Sequence, residues 1–231
     1  MRKPPPCAAG AMLLAAGILC TPGCIIANAV SLLFSSAVPI EAQYKIPKGQ
    51  TVVVIVDDLR RAASPHLREG IASAAVFHLK TDDRIKVVGN DVVSDALSKL
   101  GDRWTGQHGQ KQVSAASVGA ALHADLVIYA SIESAQIQLA ENIYQPQVRL
   151  SIKAFEAAAG RCVFPANPDG DNIRASGYVI ETDISPKDLS AGGRSAGAMA
   201  ETKLGAQAGM DLAHVFMKHY PKQPGDTLGQ P

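Results

Sequence analysis

Between Pro4 and Ile40 the chain carries no charged residue, although Lys+Arg and Asp+Glu number 22 and 21 over the full 231 residues. The net charge of +1 gives no field that would gather nucleic acid, so no nucleic-acid partner is expected. Four cysteines are too sparse for a disulfide scaffold. The six histidines form no His-x-x-x-His and the cysteines no Cys-x-x-Cys, so the spacing of a zinc site is missing and no metal is expected. There is no Gly-x-Ser-x-Gly elbow, and no glycine-rich loop ends in the Gly-Lys-[Ser/Thr] of a phosphate cradle. No catalytic residue and no cofactor is assigned. The length fits one domain, or two small ones.

The uncharged stretch divides on inspection. Arg2-Lys3 precedes an apolar run, Ala8–Leu19, which is the order of an export signal. No polar residue recurs in that run at the 3.6-residue period of a soluble helix. Thr21-Pro22-Gly23 stops it well short of the roughly 20 apolar residues that span a bilayer. Gly23-Cys24 resembles the end of a bacterial lipobox, where a small residue precedes the cysteine that is lipidated. Thr21 and Pro22 depart from that pattern. Cys20 is the rival acceptor, but Leu19 before it is too large for such a cleavage site. Residues 1–23 are therefore read as a lipoprotein-type signal peptide and Cys24 as the lipidation site; ordinary signal cleavage and an uncleaved anchor stay open. Cleavage before Cys24 removes Arg2 and Lys3 and turns the net charge from +1 to −1, leaving Cys162 as the one free thiol. Residues 24–49 are read as an apolar tether and connector. Its Ile25–Val38 part either lies along the membrane interface or packs on the domain.

From residue 50 to 220 the pattern is that of one α/β domain with a mixed sheet in three layers. The expected order is β-α-β-α-(α)-β-β-β-β-α. Thr51–Val56 is a β-branched run suited to a strand covered on both faces. Ser64-Pro65 caps a helix whose expected inner face is Leu67, Ile71, Ala74, Ala75 and His78. Arg84–Val88 is a strand, and Asn90–Leu100 a helix with Val92, Val93, Ala96, Leu97 and Leu100 inward. Gly101–Gln112 is a polar loop, Ser114–His123 a short helix and Asp125–Ile132 the third strand. Val148, Leu150, Ile152 and Ala154 alternate with Arg149, Ser151 and Lys153, predicting an antiparallel strand with one wet face. Cys162–Phe164 and Gly177–Asp183 complete the sheet, the latter at an edge. A long C-terminal helix carries Met199, Leu204, Ala208, Leu212, Val215 and Phe216. Residues 221–231, rich in Pro, Gly and Gln, read as a disordered tail.

Three features could carry chemistry or contacts. Asp57-Asp58 closes the first strand, where open α/β sheets place ligand groups. Its ordinary reading is a solvated acidic turn; its functional one is a small-ligand or metal-binding, or hydrolytic, site. Trp104 in the polar loop is either a partner-facing aromatic or a side chain folded back on the domain. Gly192–Gly197 reads as a flexible helix entry. His214 and His219, five apart, would stand about 140° apart around a helix and would not converge.

The element order and the phrase Val118–Ile132, in which a short helix leads through His123-Ala124-Asp125 into a strand, resemble the α/β domain of curli-secretion (CsgG-type) lipoproteins, penicillin-binding-protein activator lipoproteins and the TolB N-terminal domain. His123 and Ala130 stand where those proteins favour glycine. Val148–Phe164 is similar to their strand-turn-strand. The resemblance covers about residues 50–220 and implies a protein that is not an enzyme. It implies a lipid-anchored protein on the periplasmic side of the cell membrane or outer membrane, whose partners are other envelope proteins or copies of itself. Glu133–Gln147, short and polar, is too small for the membrane-spanning hairpins of a curli channel.

Overall fold

Thr51–Asp57 forms the first strand, β1, of a computed structural model that describes residues 38–58, 60–100, 114–140, 143–166, 177–185 and 196–221. The α/β fold belongs to the compact unit that begins at Ile40. In chain order the elements are β1, α1 (Pro65–Leu79), β2 (Lys86–Val87), α2 (Asn90–Leu100), α3 (Ala115–Leu122), β3 (Leu126–Ala140), β4 (Ile143–Glu156), β5 (Arg161–Phe164), β6 (Tyr178–Asp183) and α4 (Ala196–His214). This is the mixed α/β order that the sequence predicts.

The six strands make one sheet ordered β2-β1-β3-β4-β5, with β6 pairing β4 beside β5. β1 is parallel to both β2 and β3, whereas β4 runs antiparallel to β3, β5 and β6. Val52, Val53, Val54 and Ile55 are all buried, because β1 has helices on both faces. On one face α1 and α4 cover Val54, Ile128, Leu150 and Ile152; on the other α2 and α3 cover Val53, Ile55, Val127 and Phe155. The result is three layers.

Ser64 starts α1 by accepting the Leu67 N–H at 3.1 Å, and its hydroxyl donates to Glu201 on α4 at 2.9 Å. From there α1 and α4 run parallel. Gly70 meets Gly205, Gly209 meets Ile71 and Ala74, and His78 lies beside His214. Two faces are rotated from their expected positions. In α1 the buried stripe is Leu67, Ile71, Ala72, Ala75, Val76 and Leu79, with His78 at its border. In α2 Val93 alone is fully buried and Val92 faces solvent. The covered arc is thus set by the strands and helices each one packs against as well as by apolar spacing.

Two corrections concern β3 and β4. Of Glu133–Gln147, residues 133–140 and 143–147 are not an insertion between strands but the continuation of β3 and β4, with Gln136 paired to Gln147 and Gln138 to Tyr144. β1 ends opposite Ser131, so among the described residues β3 beyond it is paired on one side only and forms a hairpin arm. The wet face of β4 is also narrower than its alternation suggests. Arg149 is exposed, whereas Ser151 and Lys153 are buried, because those two stand in the rows of Asp57–Ser131 and Ile55–Tyr129 on the face that α2 and α3 cover, while Arg149 lies beyond the end of β1.

Residues 40–49 run along the domain rather than free of it. Ile40 and His219 exchange both backbone hydrogen bonds, at 2.7 and 3.1 Å, and Val215 O accepts the N–H groups of Gln43 and Tyr44. Ile46 is buried in the main core, and the Tyr44 ring packs against Phe164 and Phe216.

His123 ends α3 in the left-handed conformation, φ 50° and ψ 42°. An L residue with a Cβ is strained there, and glycine is not. His123→Gly is therefore expected to stabilise the protein by about 0.5–1 kcal/mol, read as a higher midpoint in urea with an unchanged slope.

Candidate functional site

The parallel half of the sheet changes direction at β1. α1 leads from β1 to β2 on one face, and α2 and α3 lead back to β3 on the other. The carboxyl ends of β1 and β3 are thus the topological switch point, where sheets of this kind present ligand groups. Asp57 and Ser131 are paired there, with Ser151 next in line on β4. One row deeper in the sheet stand Ile55, Tyr129 and Lys153. Apart from Ile55 these side chains are polar, and every one is buried.

Asp57 is only 4% exposed, so it is not a solvated turn residue. One carboxylate oxygen accepts the Tyr129 hydroxyl at 3.0 Å and the other the Asp58 N–H at 2.8 Å. Burial pushes the Asp57 carboxyl above the ordinary carboxylate range, opposed by these two donors and by the positive charge of Arg68. Asp58 faces elsewhere. Its two oxygens accept the N–H groups of Ala62 and Ala63 at 2.8 and 2.7 Å, closing the loop that delivers Ser64 to the start of α1. Arg60 of that loop pairs with Glu133 at the root of the hairpin arm, at 2.9 Å.

The two neighbouring aspartates therefore do not converge on one point. All four carboxylate oxygens accept hydrogen bonds from the domain's own groups. Asp57 ties the end of β1 to β3, and Asp58 ties it to the loop that enters α1. Among the described residues no group of three or more His, Cys, Asp or Glu is placed to hold a metal ion. Cys162 lies half-buried in β5, its Sγ 3.2 Å from Phe164 O. Cys24 and Trp104 lie outside the described residues, as do Gly192 and Gly193.

Sequence spacing missed a second constellation. α4 ends at His214, and the chain then folds back, so His219 is not on the helix at all. The His214 and His219 rings stack with centroids 4.0 Å apart and planes 3° from parallel; His78 of α1 stands 6.4 Å from His214. Rings stacked in this way aim their nitrogens sideways rather than at a common ion. Burial, then His219 and His78, lowers the His214 pKa from 6.5 to about 4. The unfolded chain thus binds a proton that the folded chain refuses, and stability falls as pH drops from about 6.5 towards 4. Because His214 is only half-buried, solvent screening reduces the effect to about 1–2 kcal/mol. Thermal midpoints between pH 7 and 4.5 measure it; His214→Asn should flatten part of the decline.

No protein-family model and no curated protein matches the chain. Solved structures give distant likenesses. The lipoprotein GNA1162 of Neisseria meningitidis is 9% identical, with 65% of this chain and 91% of that one covered and a TM-score of 0.43. The hypothetical protein CT253 of Chlamydia trachomatis is 10% identical over 72% and 93%, with a TM-score of 0.42. The LpoB C-terminal domain of Escherichia coli is 12% identical over 61% and 85%, with a TM-score of 0.35. Likenesses this distant assign neither a family nor a role.

Proposed function

We propose that this is a non-enzymatic, lipid-anchored cell-envelope protein whose α/β domain binds other envelope proteins or further copies of itself. The observation that carries the reading is the order of the N-terminus: Arg2-Lys3, the apolar Ala8–Leu19, then Gly23-Cys24, with no charge until Glu41. Lipid on Cys24 confines the domain to a membrane surface and raises its effective concentration near partners there. The engagement of Asp57 and Asp58 within the fold supports a binding role over a hydrolytic one.

The hairpin arm is where we place the partner. Beyond Ser131 the outer edge of β3 has no strand against it among the described residues, and Ser134, Gln136 and Gln138 are exposed, polar and uncharged. An extended segment of a partner can add to such an edge through main-chain hydrogen bonds.

Photo-crosslinking in intact cells tests this, with the reactive residue at Gln136, at Gln138 or, for comparison, at Val92. Adducts of discrete mass are expected from the two arm positions and not from Val92, falling several-fold in a Cys24→Ala background. Equal labelling at all three positions, or adducts indifferent to Cys24, would contradict the reading.

A further inference from the structure

α1 and α4 run parallel, so both end at one pole of the domain, opposite the hairpin arm. That pole carries an unusual surface. Phe77 and Tyr220 are each 67% exposed and Ile40 is 43% exposed. A chain of imidazoles runs from Phe77 to Ile40: the Phe77 ring meets His78 edge-on at 5.4 Å, His78 neighbours His214, His214 stacks on His219, and His219, which Tyr220 follows in the chain, is bridged to Ile40. Two ammonium groups lie beside them, the exposed Lys80 one turn after Phe77 and Lys218, which pairs with Glu41 at 2.9 Å.

Phe77 points away from the buried stripe of α1, so its exposure contributes nothing to the core. Exposed aromatics grouped with an aliphatic side chain mark a contact surface rather than ordinary surface scatter. Tyrosine and histidine also have the chemistry of a membrane interface, an apolar body with a polar tip, and lysine reaches from such a surface towards phosphate groups.

The position of this surface in the chain favours a lipid bilayer as its occupant. Ile40 is the residue at which the chain enters the domain, and Cys24 precedes it by 16 positions. Fully extended, that length reaches at most about 55 Å. A lipid on Cys24 therefore holds the bilayer within reach of this pole, and the apolar character of Ile25–Val38 favours a shorter separation.

We propose that the pole formed by Ile40, Phe77 and Tyr220 rests on the lipid surface, so that the domain stands on the membrane with its hairpin arm directed away. The proposal rests on the lipid-anchor reading but is separable from it. In this orientation the aromatic side chains enter the headgroup region, and the arm is presented to partners at the far end of the domain.

Fluorescence quenching by lipid tests the orientation. An environment-sensitive fluorophore is placed at Phe77→Cys, Tyr220→Cys or Gln136→Cys in a Cys162→Ser background. The lipidated protein is then reconstituted in vesicles of phosphatidylethanolamine and phosphatidylglycerol carrying nitroxide-labelled lipid. Positions 77 and 220 are expected to be quenched several-fold more than 136, and Phe77→Ser/Tyr220→Ser should lower vesicle binding of the non-lipidated Cys24→Ala chain. Equal quenching at all three positions in vesicle-bound protein would overturn the orientation and leave the anchor standing. A probe at 77 that is shielded from water yet unquenched would overturn it in favour of a protein partner. Failure of the wild-type chain to partition with membranes would overturn the orientation and the anchor together.

Discussion

Gly209→Ala should lower the stability of the domain by about 2–3 kcal/mol, the largest effect expected of any single methyl group in α4. A Cβ at Gly209 would stand 2.4 Å from Ile71 O, 2.5 Å from the Ala74 Cβ and 2.8 Å from Ala75 N. Two of those three atoms are helix backbone and cannot swing aside. The whole of α1 must retreat from α4, loosening the layer that contains Leu67, Ile71, Leu204, Ala208 and Leu212. The greater helix propensity of alanine returns no more than about 1 kcal/mol.

Gly70 provides the internal comparison. It also sits at the crossing, but a Cβ there would stand 3.5 Å from Gly205, an ordinary contact. Gly70→Ala should be neutral or stabilising by about 0.5–1 kcal/mol. Urea denaturation of the two variants beside wild type checks both signs. Equal destabilisation would mean that the close approach of the helices at Gly209 is not as described.

Asp211→Ala should cost about 2–4 kcal/mol, because two buried polar side chains converge on this one carboxylate. Thr182 of β6 donates its hydroxyl at 2.6 Å, and Gln207, one turn earlier on α4, donates its amide at 2.7 Å. Thr182 and Gln207 are 3% and 7% exposed. Truncation leaves the Thr182 hydroxyl without this acceptor and unpins β6 from the helix. Asp211→Asn keeps an oxygen for one donor and should fall between wild type and alanine, at about 1–2 kcal/mol. Thermal denaturation should rank them wild type, Asn, Ala; an asparagine variant less stable than alanine would contradict this network.

Much of the domain was readable because its elements obey simple periodicities. The β-branched run Thr51–Val56, the Ser64-Pro65 cap and Met199, Leu204, Ala208 and Leu212 of α4 lie in the expected elements, Met199 alone of these four being exposed, whereas Val215 and Phe216 are buried in the turn just past the helix end. The arm was hidden by its composition. Glutamine and serine alternate with alanine and isoleucine from Ser134 to Gln138, a period of two, but short polar side chains give no strong apolar signal. The histidine cluster was hidden by a boundary. An angular argument that continues α4 to residue 219 separates two rings that the chain reversal after His214 brings to 4.0 Å.

The acidic pair shows what a motif lacks without its partners. Asp57-Asp58 is correctly placed at the switch point, yet the sequence does not reveal that Tyr129, 72 positions away, supplies the donor to one and that Ala62 and Ala63 supply the donors to the other. Asp57→Asn retains one acceptor and removes a carboxylate that burial disfavours. It is expected to be tolerated at neutral pH within about 1 kcal/mol.

The central claim, a domain held to a membrane by its own N-terminus, is tested most directly by the mass of the mature N-terminal peptide from membrane-purified protein. The account predicts a peptide that begins at Cys24 and carries acyl chains, absent from the Cys24→Ala variant. A peptide that still begins at Met1, or one cleaved elsewhere without lipid, would contradict it.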